Sequence, residues 1–272
     1  MMLKRVLILI IILLYAQIAF AATAGNVSDP KIPYGPGIFN TKDSGYGPIT
    51  LSFDGEWIFD RDLDDSGAAT SADLEGQQYL FKVGYTFAEV VQPYITLGVS
   101  TLRTFWNQGG QELRVKAEEG LVIGGGGKVH VFEIPDNKLK LSLDGHYLYT
   151  DAGIQKSEIS GISRSVSAEE FTIAQWQITG IISMEFPLNY DRYNSAAVYS
   201  LIPYVGLAYF DSAVDTKFTF GGTDYSIGDT DNKDKFLLIG GLDFTSPENI
   251  VFNVEGRFIG EMAASSGLTV KF

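Results

Sequence analysis

From about Ile49 to the end of the chain, apolar residues return at every second position. A side-chain period of two belongs to a strand, and no sustained helical period competes with it. The clearest stretch runs over 139–150, where Leu139, Leu141, Leu143, Gly145, Tyr147 and Tyr149 alternate with Lys140, Ser142, Asp144, His146, Leu148 and Thr150. The pattern repeats in Ile49, Leu51, Phe53, Gly55, Trp57 and Phe59 against Thr50, Ser52, Asp54, Glu56, Ile58 and Asp60. It returns in Tyr79, Phe81, Val83, Tyr85 and Phe87 around Lys82, and in Ile250, Phe252, Val254, Gly256 and Phe258 around Asn253, Glu255 and Arg257. Each such strand offers one apolar face and one that suits water or a polar interior.

A soluble sandwich alternates too, so the character of the two faces decides. Here the polar face is charged over most of a strand, whereas the inner face of a sandwich is apolar. Aromatics gather at strand ends, as Trp57 with Phe59, Phe105 with Trp106, Tyr147 with Tyr149, and Phe236 opposite Phe244, which is what interfacial girdles require. Connections alternate between short turns at 89–92, 135–138 and 246–249 and long polar segments at 63–74, 107–119, 154–168 and 221–234. That rhythm predicts an all-β, antiparallel up-and-down transmembrane barrel with short periplasmic turns and long external loops. Strands fall near 49–62, 76–89, 92–106, 120–134, 138–152, 170–187, 200–218, 234–246, 249–261 and 265–272. That makes about ten, and eight or twelve also fit the pattern.

The N-terminus sets the compartment. Lys4 and Arg5 precede the apolar run 6–14, and Ala19, Phe20 and Ala21 follow as a small-residue exit, the layout of a secretory signal peptide over 1–21. Residues 22–48, with Pro30, Pro33 and Pro36, read as an irregular periplasmic segment ahead of the barrel over 49–272. The absence of cysteine excludes a lipid-anchored lipoprotein and a disulfide framework. The formal net charge of −13 becomes −15 once Lys4 and Arg5 are removed, with 18 basic against 33 acidic side chains. So acidic a chain is a poor nucleic-acid partner, which depends on Lys and Arg to neutralise phosphates.

The last residues, Leu268-Thr269-Val270-Lys271-Phe272, alternate and stop on an aromatic. This resembles the last-strand signal of Gram-negative outer-membrane β-barrel proteins, a small porin-like barrel in this case, with Leu268, Val270 and Phe272 as the residues that carry the assembly signal. The resemblance implies export to the bacterial outer membrane. It also implies the barrel-assembly machinery, membrane lipid and lipopolysaccharide as partners. The expected function is non-enzymatic, as a narrow small-solute passage or a structural membrane element; the alternative is a surface binding protein or adhesin acting through acidic external loops.

The inward charges form one candidate constellation, a lumen network of Asp54, Glu56, Lys82, Lys128, His130, Lys140, Asp144, His146, Glu185, Asp243, Glu255 and Arg257, with Asp60 and Lys271 on the same faces. Near-balanced signs suit ion pairs that fill a narrow barrel. A ten-strand count invites comparison with the omptin surface proteases, which place paired Asp residues and an Asp-His pair at the external rim. Here, if inward residues face each other, His130 falls opposite Asp144 and Lys128 opposite His146, an arrangement that suits a lumen hydrogen bond or ion pair better than a general base. Gly124 to Lys128 lacks the Ser or Thr that a phosphate loop requires after its lysine, and reads as strand glycine. Asp62, Asp64, Ser66, Gly67 and Asp73 fall at positions 1, 3, 5, 6 and 12 of a calcium-loop pattern. Calcium is thus the one candidate cofactor, with an acidic solvated loop tip as the simpler reading.

Overall fold

The structure is a computed structural model that describes residues 49–87, 90–134, 138–164, 167–188, 200–246 and 250–272. The expected signal peptide and the 22–48 segment lie outside the described residues. Ten strands form the wall: β1 Ile49–Asp60, β2 Ala69–Tyr85, β3 Val91–Gln108, β4 Gly120–Ile134, β5 Leu139–Ala152, β6 Ser167–Met184, β7 Ser200–Phe220, β8 Phe236–Thr245, β9 Ile250–Phe258 and β10 Met262–Lys271. Each pairs antiparallel with its neighbour in sequence, and β1 pairs with β10 from Thr50 opposite Lys271 to Asp60 opposite Met262. The Phe272 amide donates to the Ile49 carbonyl at 2.9 Å. The sheet has therefore closed on itself and, among the described residues, left no unpaired wall edge, the condition for strands in hydrocarbon.

Side-chain parity follows the sequence. Lys82, Asp144, Glu255 and Arg257 are buried inside, whereas Phe81, Tyr147 and Phe252 are exposed on the outer face. Aromatic rings mark both borders of the apolar belt. At one end Trp176 stacks on Tyr209 and Tyr209 meets Phe236 edge-on, with Trp57 against Tyr79 further round; at the other Tyr85 meets Phe87 and Phe244 meets Phe252. Two of the aromatic pairings read from sequence change. Phe236 joins Tyr209 rather than Phe244, because β8 is short enough to put its two ends in opposite girdles. Trp106 points inward and is 1% exposed.

Trp106 reveals a wider departure. Along β2, outward Val83, Phe81 and Tyr79 give way to Gln77, Glu75 and Asp73, while inward Lys82 gives way to Leu80, Leu74 and Ala72. On β3 outward Ile95, Leu97 and Val99 give way to Arg103, and inward Gln92 and Tyr94 to Leu102 and Trp106. The pleat continues unbroken while the polarity of its two faces inverts. Below the inversion the barrel is polar inside and apolar outside; above it the same strands enclose an apolar core and face water. A charged inner face over most of each strand is thus the pattern of the membrane half alone.

Segments expected as long polar loops are largely strand. Gln111–Ala117, Ile154–Ile159 and Ile162–Arg164 continue the sheet beyond β3, and Thr223–Thr230 pairs with β7. Their outward residues, such as Glu112, Arg114 and Lys116, gave them a polar look, yet Leu113, Val115 and Ala117 alternate with these and are buried. Gly109-Gly110, Ser160-Gly161 and Gly221-Gly222 close three hairpin tips with positive φ at both positions, the geometry whose twist matches that of the flanking strands. A bulge between Ile58 and Asp60 moves Asp60 from the expected inner face to the exposed surface.

Inward glycines make room for large side chains. A Cβ added at Gly241 falls 2.2 Å from the Tyr204 ring, and one at Gly126 falls 2.7 Å from the Tyr94 ring. The glycine run of β4 is thus a packing feature. Gly241→Val is expected to lower barrel stability by about 1–3 kcal/mol or more, and Tyr204→Ala in the same chain to recover part of the loss. Urea titration in lipid vesicles measures both; an undisturbed Gly241→Val protein refutes the packing argument.

Candidate functional site in the barrel interior

Ten of the twelve expected lumen groups are buried inside the wall, and two, His130 and Glu185, lie nearer the end where β1 begins and β10 finishes. There Glu185 receives Lys138 at 3.5 Å and Lys140 at 3.9 Å, and His130 lies 3.8 Å from Glu133. Slightly deeper, Lys82 holds Asp54 at 3.0 Å and lies over the Tyr94 ring, whose hydroxyl donates to Asp144 at 3.0 Å. His146 Nδ1 is 3.2 Å from the same carboxylate. The facing expected from sequence is shifted: Lys128 opposes Asp144, Gly126 opposes His146 and His130 opposes Ser142. Two residues of register, which leave parity intact, separate the two arrangements. Across the barrel, Tyr204 donates to Glu255 at 2.9 Å and accepts from Asn253 at 2.9 Å, and Asn253 also donates to Asp243. A cavity of about 30 Å³ remains beside Lys82, Tyr94, Lys128 and Asp144, room for ordered water rather than a solute.

Higher in the lumen, charges alternate in an unbroken line: Arg61 to Glu261, Glu261 to Arg257 at 2.8 Å, and Arg257 to Glu56. All four side chains are at most 1% exposed. Arg61 follows β1 yet reaches Gln175 on β6 at 3.4 Å and lies 4.7 Å over the Phe210 ring of β7. It therefore crosses the full width of the barrel. Sequence reading put both inside expected strands, 49–62 and 249–261, and missed them: the bulge between Ile58 and Asp60 reverses the parity that would turn Arg61 outward, and Glu261, which follows a turn with positive φ at Ile259 and Gly260, was left out of the inward set.

Above this line sits the apolar cluster of Leu74, Leu102, Trp106, Phe171, Ile173 and Phe218, joined by Leu113 and Val115 of the rim hairpin. Trp106 and Phe218 belong to β3 and β7, four places apart round the ring, and their ring centroids are 6.1 Å apart. The outer end is filled from wall to wall.

The acidic rim residues divide. Asp62 pairs opposite Asp73 in the ladder that follows the bulge, and with Asp60 their carboxylates lie within 4.8 Å of one another. Asp64 is not among them, and Ser66 donates to the Gly228 carbonyl at 2.6 Å within a tight turn closed on Ala69. The four side chains of the calcium-loop pattern thus do not converge, because the segment folds as a ladder and turn instead of wrapping. Partial burial, reinforced by Asp62, raises the Asp73 carboxyl to about 6. Since its folded value exceeds the unfolded one, ionisation strains the ladder above pH 6, and the strain fades as pH falls toward 4. Amide exchange of Asp62, Leu63 and Ala72, corrected for intrinsic rate, is expected to slow on acidification from pH 7.5 to 5. In Asp73→Asn it should be slow and flat throughout; a flat wild-type profile refutes the strain.

No protein-family model matches the sequence, and neither does any curated protein sequence. Among solved structures, the transport unit of the autotransporter AIDA-I from Escherichia coli is 9% identical, over 85% of this chain and 91% of that one, with a TM-score of 0.42. The outer membrane protein OprG from Pseudomonas aeruginosa is 10% identical over 84% and 96%, with a TM-score of 0.42. The outer membrane protease OmpT from Escherichia coli is 10% identical over 83% and 95%, with a TM-score of 0.41. The fold rests on the chain's own geometry: a closed antiparallel ring, apolar outside and polar inside between two aromatic girdles, is the fold of an outer-membrane β-barrel.

Proposed function

We propose that this chain is an exported, non-enzymatic outer-membrane barrel that does not conduct solutes and serves as a structural, surface-displayed element. The contact of Trp106 with Phe218 across the barrel carries this reading over the small-solute passage also expected from sequence, because it seals the outer end with an apolar core. The buried charge line below it adds a second closure, in which each charge has an oppositely charged partner. Both histidines support a non-catalytic role, since His130 lies beside Glu133 and His146 beside Asp144 in the lumen, away from the rim.

A second role, surface binding, draws on the rim itself. The strands rise beyond the aromatic belt and continue into hairpins whose outer faces are charged, so the sheet presents a stiff platform where loops were expected. Planar bilayers test the main reading: the purified barrel is expected to give no stable conductance steps, and Trp106→Gly with Phe218→Gly to bring small or flickering ones. Steady conductance from the unaltered protein refutes it.

A further inference from the structure

We propose that the outer face of the rim binds the phosphates of a phosphorylated glycolipid in the surrounding outer leaflet; this rests on the surface-displayed outer-membrane placement proposed above. The observation is a strand register that sheet chemistry alone disfavours. Arg103 stands directly opposite Lys116, and Lys116 directly opposite Lys156. Like charges so placed destabilise a sheet, yet here three cations lie in one row about 10 Å long, in a chain whose net charge is −13. A bound anion turns this repulsion into attraction.

One row further out, Arg114 lies 5.6 Å over the Phe105 ring, and together these residues line an open groove of about 610 Å³. Nearby carboxylates compete for the cations. Glu75 holds Arg103 at 3.2 Å, Glu112 holds Arg114 at 2.6 Å and Glu158 holds Lys156 at 2.6 Å. These pairs are solvent-exposed and individually weak. A phosphate that accepts from two or three cations at once forms charge-assisted bonds able to displace them.

Position selects the source of the phosphate. Arg103 is four residues beyond Val99, about 13 Å along the strand and about 10 Å in height at the tilt of a barrel. Val99 and its register partner Leu121 are exposed in the apolar belt, so Arg103 stands at headgroup depth directly above surface suited to acyl chains.

The test uses the full-length protein, purified folded in detergent, with lipid A carrying both phosphates and with dephosphorylated lipid A as probes. Native mass spectrometry counts the retained adducts. Lipid A is expected to stay bound, with retention falling at least tenfold in Arg103→Gln/Lys116→Gln/Lys156→Gln and about threefold in Lys116→Gln alone. Dephosphorylated lipid A and inorganic phosphate should leave no adduct. Lys217→Gln, at the surface pair with Asp215 (2.6 Å), is expected to match the unaltered protein. Equal retention by the folded triple variant, or of the dephosphorylated lipid, overturns the site. Failure of the protein to fractionate with the outer membrane overturns instead the placement on which the site rests.

Discussion

Arg257→Met is expected to destabilise the folded barrel by about 3–5 kcal/mol, the cost of leaving a buried charge without its partner. Arg257 stands third in the line Arg61, Glu261, Arg257, Glu56. Its removal leaves Glu261 with Arg61 but strands Glu56, which is 0% exposed. Removing the stranded charge as well relieves that cost: Glu56→Met/Arg257→Met should recover more than half of the loss, because well-packed apolar pairs often match the ion pairs they replace. Urea titrations of folding into lipid vesicles provide the cost of the single and of the double variant. A double variant as unstable as the single one shows that Arg257 acts through packing and that its charge is incidental.

The wall was largely legible in the sequence. Alternation placed about ten strands and most of their inner and outer faces, since period two is imposed by the pleat and is insensitive to errors of a few residues at strand ends. Register was less legible: Lys128 opposite Asp144 instead of His146 preserves every face, so no hydrophobic pattern distinguishes the two. The apolar outer core was present in the sequence but inverted. Leu113, Val115 and Ala117 alternate with Glu112, Arg114 and Lys116 as regularly as any membrane strand does, and the expectation that polar segments are loops concealed it. The point where the outward residues change from Val99 to Arg103, or from Tyr79 to Glu75, marks where each strand leaves the bilayer. That signal was readable on β2, β3, β6 and β7, the strands that rise furthest beyond the belt. What alternation cannot reveal is contact across the lumen, such as Arg61 with Gln175 or Trp106 with Phe218, because those partners are set by how the ring closes.

The same inversion gives substitutions of neighbouring residues sharply different outcomes. Val254 lies at the middle of β9, facing outward between Phe252 and Gly256, with Leu242 and Ser266 as its register partners. Val254→Arg puts a guanidinium at membrane depth, where such a change in a barrel costs about 2–4 kcal/mol. Glu255, one residue on, faces inward and accepts from the Tyr204 hydroxyl at 2.9 Å. Glu255→Gln keeps an acceptor for that hydroxyl and leaves Arg257 with Glu56 and Glu261, so its cost should stay near 1 kcal/mol, the scale of one neutral hydrogen bond. Above the inversion the order reverses. Arg103 already faces outward there, while a charge placed at inward Leu102 enters an apolar core with no water or partner to receive it. Leu102→Arg should therefore unfold the rim, and Arg103→Val should be tolerated. Folding titrations of the four variants test the scheme as a whole: if Glu255→Gln costs more than Val254→Arg, or Arg103→Val more than Leu102→Arg, the strand concerned has been assigned the wrong face.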